Sequence, residues 1–337
     1  MSAMNAGILG LGMAVPDRVL SNADLERMVD TSDEWIMTRT GIRERRICEP
    51  HETTGTLGSL AARRALEDAG VEPGDLDLVL CATATGDYIW PATACIIQDR
   101  IGAARATAFD VSAACSGFVY GLATAAAFIQ SGTMRRILVV GADTLTKQVN
   151  WADRSTCVLF GDGAAAAVVG PCRAGEGILA SSTGSNGAGL DQILLPAGGT
   201  RMPVTPEAIE RKLNCIHMKG AEVFKFAVRI MGDACLDALA KAGLTPADVD
   251  LFIPHQANIR IIQAAAARME MPPERVYVNV HKYGNTSAAS IGIALREALD
   301  EGRVKRGDVI VSVGFGAGLT WGANVQRWCR DEPVQRS

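Results

Sequence analysis

Three side chains in this sequence have the types and settings that suit acyl chemistry: Cys115 in DVSAACSGF, His255 in IPHQANIRII and Asn285 in GNTSAAS. A thiolate is a strong nucleophile, an imidazole exchanges a proton near neutral pH, and a carboxamide can hold an oxyanion without itself ionising. Such a set fits attack on an acyl carbon and stabilisation of the charge that develops on its oxygen. A fourth segment, GFGAGLTWG at 314–322, is rich enough in glycine for its backbone N–H groups to approach a reacting carbonyl. A plain reading stands beside each: an inert buried thiol, a structural strand-end histidine, a Gly-Asn turn with Thr286 or Ser287 capping the next helix, and a loop that merely turns.

The elements that must carry these residues come from an internal repeat. Residues 61–85 align without a gap on 234–258 at a constant offset of 173, with 10 of 25 positions identical. Each copy reads as a helix stopped by glycine (Gly70, Gly243), a Pro-containing turn and a short apolar run, the pattern of a buried parallel strand. Further on, the first copy predicts a strand around Phe109–Val111, an apolar helix to Ser131 and a strand over 135–141. The second predicts a strand over 276–280, a helix from about Ala288 to Glu301 and a strand over 308–314. The chain therefore reads as an α/β protein of two related halves, 1–173 and 174–337, packed as one body without a linker.

Ligands in parallel α/β units gather at the carboxyl ends of strands, and that rule selects the loops of Cys115, His255, Asn285 and GFGAGLTWG. Cys115 falls at the start of an apolar helix whose free N–H groups and positive end are expected to lower its thiol pKa, among small residues that leave room for an acyl group. His255 falls opposite Ala82 in the repeat, so only one copy carries an imidazole at this strand tip.

Composition removes several classes of function. With 48% hydrophobic and 21% charged residues, the chain is neither disordered nor collagenous, and a formal charge of -4 argues against a general nucleic-acid or anionic-membrane binder. Nine cysteines, an odd number with no C-x-x-C pair, fit reduced thiols rather than a disulfide framework or a zinc site; the eight besides Cys115 read as bystanders, and His51, His217 and His281 as solvated or structural. MSAMNAGILGLG lacks the regions of a signal peptide, which points to a cytoplasmic protein. The uncharged run Val111–Met134 is long enough for a membrane span but is interrupted by Ser112, Ser116, Gly117, Gln130 and Ser131, and reads as a buried strand, turn and helix. Pro16 spoils GILGLGMAVP as a dinucleotide fingerprint, and no Gly-Lys-Ser/Thr of a P-loop occurs.

With Cys, His and Asn on strand-end loops of a duplicated α/β chain, the sequence resembles the beta-ketoacyl-[acyl-carrier-protein] synthase III family. TSDEWIMTRTGIRERR (31–46), FGDGAAAAV (160–168) and the four segments above carry the resemblance over essentially the whole chain. It implies a thiolase-like fold with layers αβαβα, no metal or bound cofactor, a cytoplasmic homodimer, and acetyl-CoA and malonyl-acyl-carrier-protein as substrates of a condensation that starts fatty acid synthesis. It implies Cys115 as acetyl acceptor, the N–H groups of Cys115 and Gly316 as oxyanion hole, His255 and Asn285 as donors to the malonyl thioester, and Phe315 as an apolar wall. It also implies Trp35 and Arg154 around the CoA adenine, Arg39 and Arg260 at its phosphates, Asn258 and Gly220 on the pantetheine arm, and Lys225, Arg260 and Arg268 as docking points for the carrier protein.

One position departs from the family. Trp90 stands where the family often has Phe, at a site that reaches across the dimer into the partner's acyl pocket; the larger ring is expected to shorten that pocket and favour acetyl. The sequence is also compatible with two other readings: a related acyltransferase of secondary metabolism with the same three residues, and a cysteine hydrolase, which also runs Cys, His, Asn along the chain. The repeat and the missing C-G-S-C-W type motif speak against the hydrolase. A non-catalytic scaffold has no use for all three polar residues on strand-end loops.

Overall fold

The computed structural model describes residues 4–331, so the first three residues of the N-terminal stretch lie outside it. Its elements stop where local chemistry stops them. Helix Thr54–Ala69 ends at Gly70 (φ 62°), a 3-10 turn covers Pro73–Asp75 and strand Leu78–Ala82 follows; 173 residues on, helix Gly220–Ala242 ends at Gly243 (φ 68°), a turn covers Pro246–Asp248 and strand Leu251–Pro254 follows. Glycine takes the left-handed cap conformation without the Cβ clash that other residues meet there.

The strands that position the site are β1 (Asn5–Ala14), β2 (Leu78–Ala82), β3 (Thr107–Val111), β4 (Ile137–Thr144), β5 (Asp162–Cys172), β6 (Gly177–Ser185), β7 (Leu251–Pro254), β8 (Val309–Gly316) and β9 (Thr320–Arg327). The longer helices are α1 (Asp33–Thr40), α2 (Thr54–Ala69), α3 (Thr93–Ile101), α4 (Gly117–Gln130), α5 (Gly220–Ala242), α6 (Ile259–Arg268) and α7 (Ser290–Asp300). One sheet has the order β1-β5-β4-β2-β3, the other β7-β8-β9-β6. In the first, β2 runs parallel to β3 and β4, with Leu78 opposite Ile137; in the second, β7 runs parallel to β8, with Leu251 opposite Ile310. Both residues of that second pair lie 173 positions beyond those of the first, so the repeat holds in the sheet register as well as in the sequence.

The layers are αβαβα. Phe118 and Leu122 of α4 and Ile291 and Leu295 of α7 fill the space between the sheets, against Leu80 and Val139 on one side and Ile253 and Ile310 on the other. Outside the first sheet lie α2 and α3, with Leu57 and Ile97 on Val79 and Val140; outside the second lie α5 and α6, with Met231 and Ile262 on Phe252 and Val311. Strands covered on both faces carry continuous apolar runs, which is why β4 is buried along its whole length. The uncharged run Val111–Met134 is the tip of β3, a turn and the central helix α4, and among the described residues no helix is long and apolar enough to cross a membrane.

One predicted strand does not form. Residues 276–280 should pair as β3 does in the first half, yet they make only a single bridge, Val276 to Phe252. The Gln256 side chain replaces the ladder: its Oε1 accepts from the N–H groups of Asn279 (2.9 Å) and Val280 (3.1 Å), and its Nε2 donates to the carbonyls of Tyr277 (3.1 Å) and Pro254 (2.8 Å). Backbone groups that a ladder would use are thereby spent on one buried amide. The trade matters for the site, because Gln256 follows His255 and the clamped segment leads to Asn285.

Candidate active site

Cys115 lies in a 3-10 turn (Ala114–Ser116) between β3 and α4, with Ala114 at a positive φ of 45°. The turn is held by side chains: the Ser116 hydroxyl lies 2.8 Å from the Ala113 carbonyl and 2.9 Å from the Thr320 hydroxyl, which donates to the same carbonyl (3.0 Å). The tip of β8 packs directly beneath. A Cβ added to Gly316 would fall 2.6 Å from the Cys115 nitrogen, and one added to Gly117 would fall 2.8 Å from the Ala82 Cβ. Only glycine permits either approach.

His255 follows β7 and is pinned by its N–H to the Val313 carbonyl (2.7 Å). It is 1% exposed; Nδ1 lies 2.6 Å from the Ser290 hydroxyl, while the buried Nε2 has no partner. Burial lowers its pKa to about 3, so the imidazole is neutral at physiological pH. The Phe315 ring meets it edge-on, with centroids 5.7 Å apart. Asn285 is held by its backbone to Leu159 and Gly161, after Gly284 at φ 63°. Its Oδ1 accepts the Ser287 N–H (2.8 Å), which leaves the NH₂ group as the free end of the amide.

Cys115, His255, Asn285, Phe315 and Gly316 line one cavity of about 200 Å³, whose remaining wall is largely apolar (Leu145, Phe160, Leu194, Met218, Phe224 among others). Gly220 and Asn258 line it too. That apolar wall overturns one sequence expectation. The Cys115 thiol is pushed up to about 12, first by burial and further by the Asp143 carboxylate, and contacts with Ser287, Asn285 and its own N–H only partly offset this. A helix N-terminus favours the thiolate, and burial against the cavity wall works in the opposite direction.

Asp143 is fully buried at the tip of β4. Its Oδ1 accepts from Thr83 (3.1 Å), the Ala84 N–H (2.8 Å) and Thr85 (2.7 Å), and its Oδ2 from the Ala288 N–H (3.2 Å). The 173-residue offset gives this a meaning. Ala288 is the counterpart of Cys115, and Ser287 (φ 50°) that of Ala114 (φ 45°), so two turns of one shape face each other. Asp143 is the counterpart of Gly316. In one copy a carboxylate covers the turn's N–H; in the other, glycine leaves the equivalent Cys115 N–H uncovered and turned toward its own sulfur. The turn thus holds an anion in one copy and can receive a developing oxyanion in the other.

The remaining sequence candidates sit at the rim or outside. Trp35 on α1 is flanked by the guanidinium groups of Arg39 (4.8 Å from the ring centroid) and Arg154 (5.2 Å). Arg39 makes no ion pair with Asp33 or Glu34 among the described residues; Asp33 instead accepts from Asn22 (2.8 Å), which anchors α1. The Asn258 amide caps α6 at Arg260 N–H and donates to the Arg39 carbonyl (2.9 Å), so it is already committed within the protein. Arg260 stacks over Phe224 at 5.3 Å. Lys225 is exposed, whereas Arg268 is paired with Asp233 (3.2 Å). Trp90 is 82% exposed and does not reach the cavity of its own chain. Among the described residues no His, Cys, Asp and Glu group could hold a metal ion.

Two family models match: "3-Oxoacyl-[acyl-carrier-protein (ACP)] synthase III" over residues 109–187 and its C-terminal part over 239–328. The curated beta-ketoacyl-[acyl-carrier-protein] synthase III of Caldanaerobacter subterraneus subsp. tengcongensis is 55% identical over 96% of this chain and 98% of its own. The chain belongs to the beta-ketoacyl-[acyl-carrier-protein] synthase III family. The synthase III of Symbiobacterium thermophilum is 56% identical over 98% of this chain and all of its own. The crystal structure of the enzyme from Aquifex aeolicus superposes with a TM-score of 0.89 at 48% identity, covering 96% of this chain and all of that one, so the fold is that of the thiolase-like synthases III.

Three residues of this synthase III site escape the motif reading: Asp143, Ser287 and Ser290. A charged residue closing the otherwise apolar run ILVVGAD was the available signal for Asp143. For the two serines, the signal lay in carrying the repeat offset through to the second turn.

Proposed function

We propose that the chain joins acetyl-CoA to malonyl-acyl-carrier-protein by decarboxylative Claisen condensation, giving acetoacetyl-acyl-carrier-protein, CoA and carbon dioxide, and so starts fatty acid synthesis in the cytoplasm. The observation that carries this reading is the meeting of one thiol with free donors from three loops in an apolar cavity. Cys115 attacks the acetyl thioester, its proton leaves with CoA, and the Cys115 N–H holds the oxyanion, because the register of β8 on β9 turns the Gly316 N–H expected beside it toward Thr320. The malonyl thioester then places its oxygen on His255 Nε2 and Asn285 Nδ2. Its carboxylate, facing Phe315 rather than water, departs as carbon dioxide and leaves its electron pair in an enolate held by those two donors. The enolate carbon attacks acetyl-Cys115, and the released thiolate takes a proton from solvent, which its raised pKa favours.

The cationic groups suit the approach of CoA and of an acidic carrier protein. Trp35 stacks the adenine, with Arg154 closing over it. Intercalating a ring needs two stacking gaps of about 3.5 Å, so Arg154 must swing outward from its present 5.2 Å. Arg39 and Arg260 meet the phosphates, and Gly220 and Asn258 flank the pantetheine arm. Lys225, Arg260 and Arg268 receive the carrier protein, Arg268 only after leaving Asp233. Exposed Tyr88, Ile89 and Trp90 fit a homodimer contact. The test is incubation with [14C]acetyl-CoA, with and without malonyl-acyl-carrier-protein: label should appear on the protein, vanish in Cys115→Ala and move to a ketoacyl product. A wild-type protein that takes no label on Cys115 overturns the reading.

A further inference from the structure

We infer that Ser290 is a positioning residue that fixes His255 in the tautomer with its proton on Nε2. Ser290 is the first residue of α7 and is buried, and its hydroxyl lies 2.6 Å from Nδ1. The same oxygen lies 3.4 Å from the N–H of Gln256, a group that can only donate. A hydroxyl has one proton to give. The oxygen's lone pairs can take the Gln256 N–H, and among the described residues the only acceptor within reach of the hydroxyl proton is Nδ1, so Ser290 gives that proton to Nδ1. A neutral imidazole with an accepting Nδ1 carries its proton on Nε2, the buried nitrogen left without a partner in the protein. Other hydroxyls in this chain's helices do the ordinary thing and bond back to the carbonyl four residues earlier: Ser59 to Gly55 (2.6 Å) and Thr124 to Tyr120 (2.8 Å). Ser290 is spent on the imidazole instead.

The repeat supplies an independent argument. At the 173-residue offset, His255 corresponds to Ala82 and Ser290 to Gly117. The two positions touch in the first half as well, where a Cβ on Gly117 would lie 2.8 Å from that of Ala82. The copies therefore differ as a pair, with hydroxyl and imidazole present together in one and absent together from the other. If Ser290 served only to start a central helix, its counterpart would need a hydroxyl as much as it does.

The role matters because a fixed Nε2–H makes His255 a permanent donor to the malonyl thioester oxygen and excludes it as a base toward Cys115. This deepens the proposed condensation and rests on it, but the decisive readout does not. In full-length protein labelled with [15N]histidine, long-range 1H–15N spectra between pH 6 and 8 should show His255, assigned by its loss in His255→Gln, with protonated Nε2 and bare Nδ1. Ser290→Ala should turn this into a tautomer mixture and slow condensation at least about tenfold, with acetyl transfer to Cys115 changed less than about twofold; Ser290→Thr should restore the single tautomer. A wild-type spectrum with the proton on Nδ1 overturns the inference, as does a Ser290→Ala protein that keeps the Nε2–H tautomer. Absence of acetyl labelling in the wild type would count against the proposed function alone.

Discussion

Gly316→Ala puts the open oxyanion turn to its sharpest test. The added Cβ would lie 2.6 Å from the Cys115 nitrogen and 2.9 Å from the Ala114 Cβ, roughly 0.8 Å and 0.5 Å inside ordinary contact. Neither neighbour yields cheaply, since one is backbone and the other belongs to a turn already tied to Thr320. Relief requires the Cys115 N–H or the tip of β8 to move by more than the about 0.5 Å within which a catalytic constellation has to be held. The expected loss in acetyl transfer is on the order of 10²–10³-fold, the effect of removing one oxyanion donor, against an overpacking cost of about 1–3 kcal/mol in stability. Rapid-quench measurement of [14C]acetyl transfer gives the first number and urea unfolding the second. A folded Gly316→Ala protein that acylates at the wild-type rate refutes the argument, because the Cβ would then occupy space that no oxyanion needs.

Four further outcomes follow from the site. With its thiol pushed up to about 12, Cys115 should react with iodoacetamide about tenfold faster per pH unit from pH 6 to 9, and a plateau below pH 8 would show a thiolate stabilised against burial. His255 has a folded pKa of about 3 against an ordinary imidazole value of 6.5, so the unfolded chain binds the extra proton in between. Its contribution to stability is complete above pH 6.5 and is lost as pH falls toward 3, by about 1.4 kcal/mol per unit, and His255→Gln should flatten the urea-unfolding free energy between pH 4.5 and 6.5; equal slopes would contradict this. Asp143→Asn sets an amide NH₂ among four donors and should lower stability by about 1–3 kcal/mol and slow acyl transfer, whereas unchanged calorimetric melting would mean the carboxylate is not the hub described. Trp90 should restrict the primer to acetyl, and comparable turnover with isobutyryl- or hexanoyl-CoA would remove it from the pocket.

What could be read from the sequence was local and periodic. Glycine stops, Pro turns and apolar runs at a constant offset place β2, β7, α4 and α7 because each follows from backbone sterics or burial within a few residues. The Cys115, His255 and Asn285 loops were legible because strand tips are where polar side chains on buried strands can emerge. The strand expected at 276–280 failed because its competitor is the side chain of a residue some twenty positions earlier, which no local pattern reveals. The thiol pKa failed for a related reason. The helix terminus that favours a thiolate is visible in sequence, but the cavity wall that disfavours it is assembled from distant segments such as Leu145, Leu194 and Met218. Desolvation is a property of the assembled site, which a local pattern does not contain.

The two copies of the fold also contain their own control experiment. The turns at Cys115 and Ala288 share an unusual backbone, with positive φ at Ala114 and Ser287, and each presents an N–H to the tip of a parallel-sheet strand. At that tip one copy carries Asp143 and the other Gly316. The carboxylate of Asp143 satisfies the Ala288 N–H for good and ties it to the loop after β2, so this turn is structural. Removing the side chain at the equivalent position frees the second N–H and opens the space above it, beside the one thiol of the pair. A donor whose only neighbour is its own sulfur is poorly satisfied in the resting protein. Its retention beside Cys115, in a chain that demonstrably can fill the same position with an anion, is accounted for by an anion that arrives only with substrate. On this argument Gly316→Asp should go further than Gly316→Ala: its Cβ displaces the same turn and its carboxylate repels the developing oxyanion, leaving Cys115 present and its acetylation abolished.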